Sequence, residues 1–154
     1  MTTYGPETTT DEVLLGHDLT GRHFMITGAS SGLGEESSRA LAQAGATVTM
    51  LARNQSKLDT AIERIKSSNP SAILNTGIAD LSDQQSIRDY AQEFLATGVT
   101  IDVLINNAGV MVCPYSKTVD GIEMQFGTNH IGHFLLTNLP VSYTHLTLPT
   151  IYSV

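Results

Sequence analysis

The sequence is poor in the residues and runs that would place it in a membrane, in an oxidising compartment or on a nucleic acid. It has one cysteine, Cys113, which excludes an intrachain disulfide and favours a cytoplasmic location. No apolar run approaches the roughly 20 residues that cross a bilayer, and residues 1–10 lack the basic start and apolar core of a signal peptide. The net charge of −7, from 8 Lys and Arg against 15 Asp and Glu, argues against nucleic-acid and anionic-membrane partners.

The histidines and the cysteine do not form a recognisable metal or nucleophile pattern. His130 and His133 lie in an H-x-x-H sequence with Glu123 nearby, but this spacing lacks the i, i+4 geometry of H-E-x-x-H. No third ligand converges with them, so no metal site is expected. Cys113 has no obvious base or cation beside it, which favours an ordinary loop thiol over a reactive one.

A glycine-rich turn follows the first predicted strand. Arg22–Thr27 is a short strand candidate and Glu35–Ala44 has the composition of a helix, so Thr27–Gly34 (T-G-A-S-S-G-L-G) connects a strand to a helix. Glycines adopt positive φ freely and bring no Cβ toward a ligand, and the amino terminus of the following helix favours a phosphate. A tight turn that binds nothing is the alternative, because three glycines alone are a weak signal.

Strands and helices alternate along the rest of the chain. Further strands are predicted at Thr47–Leu51, Ile73–Ile78 and Ile101–Asn106, a capping box begins at Ser82, and a fourth helix is predicted over Asp120–Leu139. This alternation predicts an α/β fold, a Rossmann-type doubly wound parallel sheet in the order 3-2-1-4, truncated after about four strands and four helices.

A second loop, N-N-A-G at Asn106–Gly109, follows the fourth predicted strand. Ligands of open parallel sheets bind at the carboxyl ends of the strands, where this loop and the glycine-rich turn would meet. The two loops together predict a dinucleotide site.

Four ordered motifs resemble the short-chain dehydrogenase/reductase family from about Leu19 to Leu139. They are T-G-A-S-S-G-L-G, Asp80-Leu81 after the third strand, N-N-A-G after the fourth, and T-N-H-I-G-H-F-L-L-T at Thr128–Thr137. The stretch Thr118–Thr137 is most similar to the retinol-dehydrogenase and WW-domain-oxidoreductase branch and its bacterial relatives. The resemblance implies hydride transfer between a nicotinamide cofactor and a small alcohol or carbonyl substrate, and it is compatible with a homo-oligomer.

The resemblance also implies roles for individual residues. The pyrophosphate loop would consist of Gly28, Ser30, Ser31, Gly32, Leu33 and Gly34. Asp80 and Leu81 would border the adenine, and Asn106, Ala108 and Gly109 would lie along the adenosine ribose and the path to the nicotinamide. Asp80 as a turn or helix-start residue and Asn106 as an amide that satisfies loop backbone remain the alternatives.

The end of the second predicted strand bears on the choice of cofactor. NAD-selective sites place an acid there to hold the ribose 2′-hydroxyl, whereas this strand is followed by Arg53 and the nearest acid, Asp59, lies inside the next helix. A guanidinium pairs well with a phosphate, so we expect NADP to be preferred over NAD. A solvated arginine at a helix start is the alternative.

Asn129 is the one catalytic residue of the resembling family that the sequence contains. Helical spacing places it on a stripe with Ile122, Phe126, His133 and Leu136, so its amide is expected to face inward among apolar side chains. In that family the asparagine bends the helix and holds a water that feeds a proton relay. A core amide without a chemical role is the alternative.

The proton-transfer residues of the resembling family are missing from the sequence. The family uses a tyrosine, a lysine four residues later that lowers the tyrosine pKa, and a serine on the preceding strand. The three lysines are Lys57, Lys66 and Lys117, and none lies four residues after a tyrosine. We therefore expect an N-terminal portion of an oxidoreductase that is itself inactive, with a non-catalytic dinucleotide-binding module as the alternative.

The chain divides into a polar extension (1–18), the nucleotide-binding domain (19–140) and an atypical tail (141–154). The tail carries no charge and leaves the helical pattern after Pro140, so we expect it to be a read-through artefact, with a divergent extended tail as the alternative. A sheet that stops at its fourth strand leaves residues 103–105 on an unpaired edge. We expect this edge to make the chain self-associate or express poorly.

Overall fold

A four-stranded parallel sheet forms the centre of the protein in the computed structural model, which describes residues 4–144. Its strands are β1 (His23–Thr27), β2 (Thr47–Ala52), β3 (Ile73–Ile78) and β4 (Val103–Ile105), in the order β3-β2-β1-β4. The predicted parallel Rossmann-type sheet and its strand order are therefore confirmed. The last strand is shorter than the sequence predicts, because it pairs with β1 only through the partners of Phe24, Met25 and Ile26.

Six helices and one π-helical segment surround the sheet in the described part of the chain. They are α1 (Thr10–Leu14), α2 (Gly32–Gln43), α3 (Gln55–Ser68), α4 (Gln84–Ala96), α5 (Met124–Phe126), the π-helical segment (Gly127–Gly132) and α6 (His133–Thr144). None of the helices between residues 4 and 144 is both long and apolar enough to cross a membrane.

The core has two layers because successive residues of a buried strand point to opposite faces of the sheet. Ile26 points to the layer beneath α2 and α3, which also holds Val48, Met50, Leu58 and Ile65. Its neighbour Met25 points to the layer beneath α4 and α6, which also holds Leu51, Ile87, Tyr90 and Leu136. Helices thus cover both faces, and the loops after the strands are left at one edge of the sheet.

Two predicted helix starts are wrong, and side-chain caps explain both. Helix α4 begins after Asp83, whose carboxylate accepts from the amides of Gln85 and Ser86, and not at a capping box on Ser82. The fourth predicted helix begins at Met124 instead of Asp120, because Glu123 caps α5 and the Asp120 carboxylate accepts from the Gln84 amide at 3.0 Å. Asp120 thus links the segment before α5 to the start of α4, which the sequence pattern treats as separate elements.

The C-terminal helix extends further than the sequence predicts. Helix α6 passes through Pro140 and reaches Thr144, the last described residue, whereas the pattern places the end of the helix at Leu139. A proline removes one backbone donor from a helix, and here the helix continues past that position. Residues 145–154 of the expected tail lie outside the described residues.

The polar N-terminal extension contains α1, which packs on α2. A capping box between Thr9 and Glu12 starts the helix. The Arg39 guanidinium of α2 contacts the carboxylates of Asp11 and Glu36 at 2.8 Å each, and its hydrogen bonds lower the pKa of Glu36 to about 2. The extension is therefore attached to the domain through a small ion-pair network.

Candidate functional site

A cleft of about 650 Å³ opens at the carboxyl ends of the strands, which is a volume typical of cofactor sites. The predicted cofactor residues that line it are Gly28, Ser30, Ser31, Leu33, Arg53, Asp80, Leu81, Ala108 and Gly109. Gly32, Gly34 and Asn106 are absent from its lining, and so is Asn129. Residues that the sequence reasoning missed also line it, among them Thr27, Asn54, Lys57, Asn107, Val110 and Thr128.

The glycine-rich turn is shaped by contacts with the second loop. Gly28 has a φ of 66°, and a Cβ on it would lie 2.8 Å from the Cα of Ala108. A Cβ on Gly34 would lie 2.5 Å from the Gly28 carbonyl oxygen and 2.6 Å from the Asn107 amide nitrogen. These two glycines therefore allow the turn, α2 and the second loop to pack together, whereas the position of Gly32, with a φ of 58°, is open.

The first turn of α2 begins in the lining of the cleft and has no side-chain cap. Its N-cap residue, Ser31, makes no capping hydrogen bond. The first amides of a helix have no partner within the helix and carry the positive end of its dipole. The acid in this turn, Glu35, is paired with Arg64 at 2.7 Å. The amino terminus of α2 is therefore suited to binding an anion.

Thr27 holds the second loop at its base. Its Oγ1 accepts from the backbone amides of Asn107 and Ala108, each at 2.9 Å. The Asn107 side chain donates to the Thr27 carbonyl oxygen, also at 2.9 Å. Asn106 points away from this junction and donates to Thr137 Oγ1 at 3.1 Å. Asn107 is therefore the asparagine that joins the loop to β1.

Asn129 is exposed, so the prediction that its amide faces inward is wrong. Its side chain accepts from the Val110 amide and donates to the Val110 carbonyl oxygen, both at 2.8 Å. It lies in the π-helical segment, whose wider turns change the angular positions of the residues that follow. A stripe drawn for a regular α-helix is consequently broken, with Phe126 54% exposed and His133 and Leu136 buried.

His133, the first residue of α6, contacts the end of β1 and the π-helical segment, a role that neither the inward stripe nor the H-x-x-H spacing indicates. Its Nε2 is 2.9 Å from Thr27 Oγ1, and its Nδ1 is 2.9 Å from the Asn129 carbonyl oxygen. Burial lowers the pKa of this imidazole below its usual value of 6.5, and the Asn129 carbonyl acts in the opposite direction.

The two cations and the carboxylate that line the cleft differ in whether they already have partners. Arg53 and Lys57 are both exposed at its rim, and neither forms an ion pair with another residue of the 4–144 range. Asp80 has one carboxylate oxygen occupied, because Oδ1 accepts from the amide and the hydroxyl of Ser82 at 2.9 and 2.7 Å. Within the described part of the chain, the rim beside α3 thus has two cations without an ion-pair partner, and Asp80 also stabilises a local turn.

The sequence of the chain matches one family model and several known proteins. The family model described as short chain dehydrogenase matches residues 22–144. Retinol dehydrogenase 12 of Mus musculus is 48% identical over 119 residues, which cover 77% of this chain and 38% of that protein. Short-chain dehydrogenase TIC 32 B, chloroplastic, of Brassica napus is 45% identical over 138 residues, which cover 88% of this chain and 42% of that protein.

A solved structure has the same fold. The crystal structure of an uncharacterised protein from Mycobacterium paratuberculosis is 44% identical and superposes with a TM-score of 0.70. The match covers 82% of this chain and 44% of that one. The chain spans about two fifths of the length of the two curated relatives.

Proposed function

Because the chain belongs to the short-chain dehydrogenase family, whose members are NAD(P)-dependent oxidoreductases, we propose that it binds NADP(H) for the reduction of a carbonyl compound or the oxidation of an alcohol. The observation that carries the proposal is the cleft at the carboxyl ends of the strands, which among residues 4–144 combines a helix start that Ser31 does not cap with two cations that form no ion pair. Retinol dehydrogenase, the name of one relative, supports an alcohol or carbonyl as the substrate class.

The residues of the cleft fit the parts of a dinucleotide. The pyrophosphate would lie at the start of α2, where the amides after Ser31 lack a side-chain cap. Gly28 brings no Cβ into the space between the turn and Ala108, so the two loops stay close to a ligand that lies across both. The adenine would lie beside Asp80 and Leu81. When bound, the cofactor would supply the hydride in the reduction of a carbonyl and accept it in the oxidation of an alcohol.

Arg53 and Lys57 support the choice of NADP over NAD. Arg53 directly follows β2 and Lys57 lies in the first turn of α3, so both cations are at the same end of the cleft. A ribose 2′-phosphate there would gain two charge-assisted contacts, which a 2′-hydroxyl would not. We include Lys57 in the proposed site, where sequence reasoning alone identified Arg53.

We further propose that the 154 residues bind the cofactor without turning it over. No Tyr-x-x-x-Lys sequence occurs in them, and a tyrosine has a pKa of about 10 unless a cation lowers it. Asn129, the family catalytic residue that is present, is exposed and holds the backbone of Val110. The alternative is a non-catalytic dinucleotide-binding module.

The cytoplasmic location also stays a prediction, since one relative is named as chloroplastic.

Titration of the 154-residue chain with NADPH and with NADH tests the proposal. We expect NADPH to bind at least about tenfold more tightly, as measured from the nicotinamide fluorescence, because a single charge-assisted contact is worth 1.5–3 kcal/mol. We also expect no consumption of bound NADPH when aldehydes and ketones are added. Absence of binding by either nucleotide would contradict the proposal, and steady turnover would contradict the inactive part of it.

Arg53→Asp should weaken NADPH binding by about 100-fold and NADH binding by less than about threefold, because it replaces an attraction for the 2′-phosphate with a repulsion. Lys57→Ala should weaken NADPH binding by about tenfold. Both constants come from the same fluorescence titration. Arg88→Asp makes the same charge change on α4, outside the lining of the cleft, and should leave the preference unchanged. Equal losses for the two nucleotides in Arg53→Asp would contradict the assignment of Arg53.

A further inference from the structure

The His133 side chain connects three parts of the proposed cofactor site through hydrogen bonds. Its Nε2 contacts the Thr27 hydroxyl at the end of β1, and its Nδ1 contacts the carbonyl oxygen of Asn129. The same Thr27 oxygen accepts hydrogen bonds from the backbone amides of Asn107 and Ala108 in the second loop. The imidazole is buried, so water does not readily replace these partners.

The chemistry of the partners determines which nitrogen of His133 carries the proton. The Asn129 carbonyl oxygen can only accept, so Nδ1 must be the donor at 2.9 Å. The two loop amides can only donate, and they occupy both lone pairs of the Thr27 hydroxyl oxygen. The single hydroxyl hydrogen of Thr27 is therefore directed to another acceptor.

His133 offers the better acceptor for that hydrogen. The Ile105 carbonyl oxygen is 3.4 Å from Thr27 Oγ1, whereas Nε2 of His133 is 2.9 Å away. A shorter hydrogen bond of this type is the stronger one. The arrangement is complete only when Nε2 is unprotonated. A proton on Nε2 would point at an oxygen whose lone pairs are already used, so one of the loop amides would lose its bond to Thr27. The Asn107 amide also lies 3.0 Å from the Ile105 carbonyl oxygen, so the Ala108 amide depends more on Thr27.

We propose that His133 is a positioning residue for the dinucleotide: its unprotonated Nε2 accepts the Thr27 hydroxyl hydrogen and thereby keeps the amides of Asn107 and Ala108, and the second loop with them, in place. The inference rests on the proposed cofactor function. It adds a residue that does not line the cleft and acts on the loop through Thr27.

Binding should consequently depend on the protonation of His133. Its polar contacts are the Thr27 hydroxyl and the Asn129 carbonyl, and the titratable group that α4 contributes to the adjoining core is Tyr90, which stays neutral because burial raises its pKa. On its own helical stretch the nearest titratable group is the exposed His130. Since burial lowers the pKa of His133, the contribution is complete above pH 6.5 and is lost as the pH falls through that lowered pKa.

His133→Phe and His133→Gln separate the hydrogen bond from the packing. Phenylalanine fills the space without an acceptor, and we expect NADPH binding at pH 7.5 to fall about tenfold because a buried hydroxyl loses its partner. The glutamine Oε1 occupies the region of Nε2 and accepts at any pH, so affinity should stay within about threefold of wild type. His130→Gln is the matched control, since His130 lies on the same stretch and is exposed, stacked between Phe126 and Phe134.

The pH profile of binding is the decisive readout. As the pH falls from 7.5 through the lowered pKa of His133, wild type and His130→Gln should lose affinity together, whereas His133→Gln should lose less. Titration of the cofactor phosphate contributes equally to all of them and cancels in the comparison. A long-range ¹H–¹⁵N spectrum should also show the His133 proton on Nδ1. Circular dichroism establishes that each variant is folded, and if His133→Phe is not, the profile of His133→Gln decides.

The outcomes separate this inference from the proposed function. If wild type binds neither nucleotide at any pH, the proposed function itself fails. If wild type binds NADPH but His133→Phe binds equally well, or His133→Gln follows the wild-type profile, the positioning role of His133 is wrong and the proposed function is unaffected. A proton found on Nε2 of His133 at pH 7.5 would also overturn the inference.

Discussion

Gly34→Ala is expected to lower the free energy of unfolding by about 2 kcal/mol and to weaken NADPH binding below detection. Alanine normally stabilises a helix relative to glycine by about 1 kcal/mol, and Gly34 lies in the first turn of α2 with a buried position. The sign reverses here because the new Cβ would lie 2.5 Å from the Gly28 carbonyl oxygen and 2.6 Å from the Asn107 amide nitrogen. The Gly28 oxygen belongs to the backbone, and the Asn107 nitrogen, although it ends a side chain, is held by its hydrogen bond to the Thr27 carbonyl oxygen.

The contact on Asn107 extends the effect to the cofactor. Its amide donates to the Thr27 carbonyl at 2.9 Å, so a displaced Asn107 also displaces the second loop. Urea denaturation measures the change in stability, and the fluorescence titration measures binding. Gly32→Ala is the control: its φ of 58° costs roughly 1 kcal/mol for any side chain, but its position is open, so stability falls without the collision. A Gly34→Ala variant as stable as wild type would contradict the packing described here.

Thr27→Val is expected to lower the free energy of unfolding by about 3 kcal/mol, although it preserves the shape of the side chain. Thr27 is buried, and its hydroxyl is the partner of the Asn107 amide, the Ala108 amide and His133 Nε2. Valine would leave the Ala108 amide and His133 Nε2 without that partner, whereas the Asn107 amide would keep the Ile105 carbonyl oxygen at 3.0 Å. Each unsatisfied buried group costs about 1–3 kcal/mol, and partial relaxation of the loop reduces the sum.

Thr27→Ser provides the matched comparison for Thr27→Val. Serine keeps the hydroxyl and removes one methyl group, so its stability should fall by about 1 kcal/mol, as for a deleted buried methyl. Its NADPH affinity should stay near that of wild type, while Thr27→Val should lose about tenfold or more. Chemical denaturation and the NADPH titration give the two quantities. Similar losses of binding in the serine and valine variants would assign the effect to packing and not to the hydroxyl.

The features that the sequence predicts well are those encoded by neighbouring residues. The alternation of apolar strands and helices gives the parallel sheet, and the glycines of the turn after β1 mark the point where the chain leaves the sheet. Arg53 lines the cleft because it directly follows β2, while its role toward a cofactor stays a prediction. In each case the signal lies within one element and its immediate flank.

The features that the sequence misses depend on partners distant along the chain. Asp120 caps α4 from 36 residues away, and Thr27 meets His133 across 106 residues, so neither contact leaves a local pattern. The orientation of Asn129 fails for another reason. A π-helical segment changes the helical period at that residue, and a stripe drawn with a period of 3.6 then points to the wrong side.

The short fourth strand also has a consequence for hydrogen exchange. Three residues of β4 pair with β1, so the loop that follows is held by the side chains of Thr27, Asn107 and Asn129 more than by the ladder of the sheet. Opening of this loop should cost less free energy than global unfolding, which gives the amides of residues 107–110 faster exchange than those of β1 and β2. A ligand that contacts both loops would slow the exchange of these amides toward the rates in β1 and β2. The protection of each amide would therefore report whether the cleft is occupied.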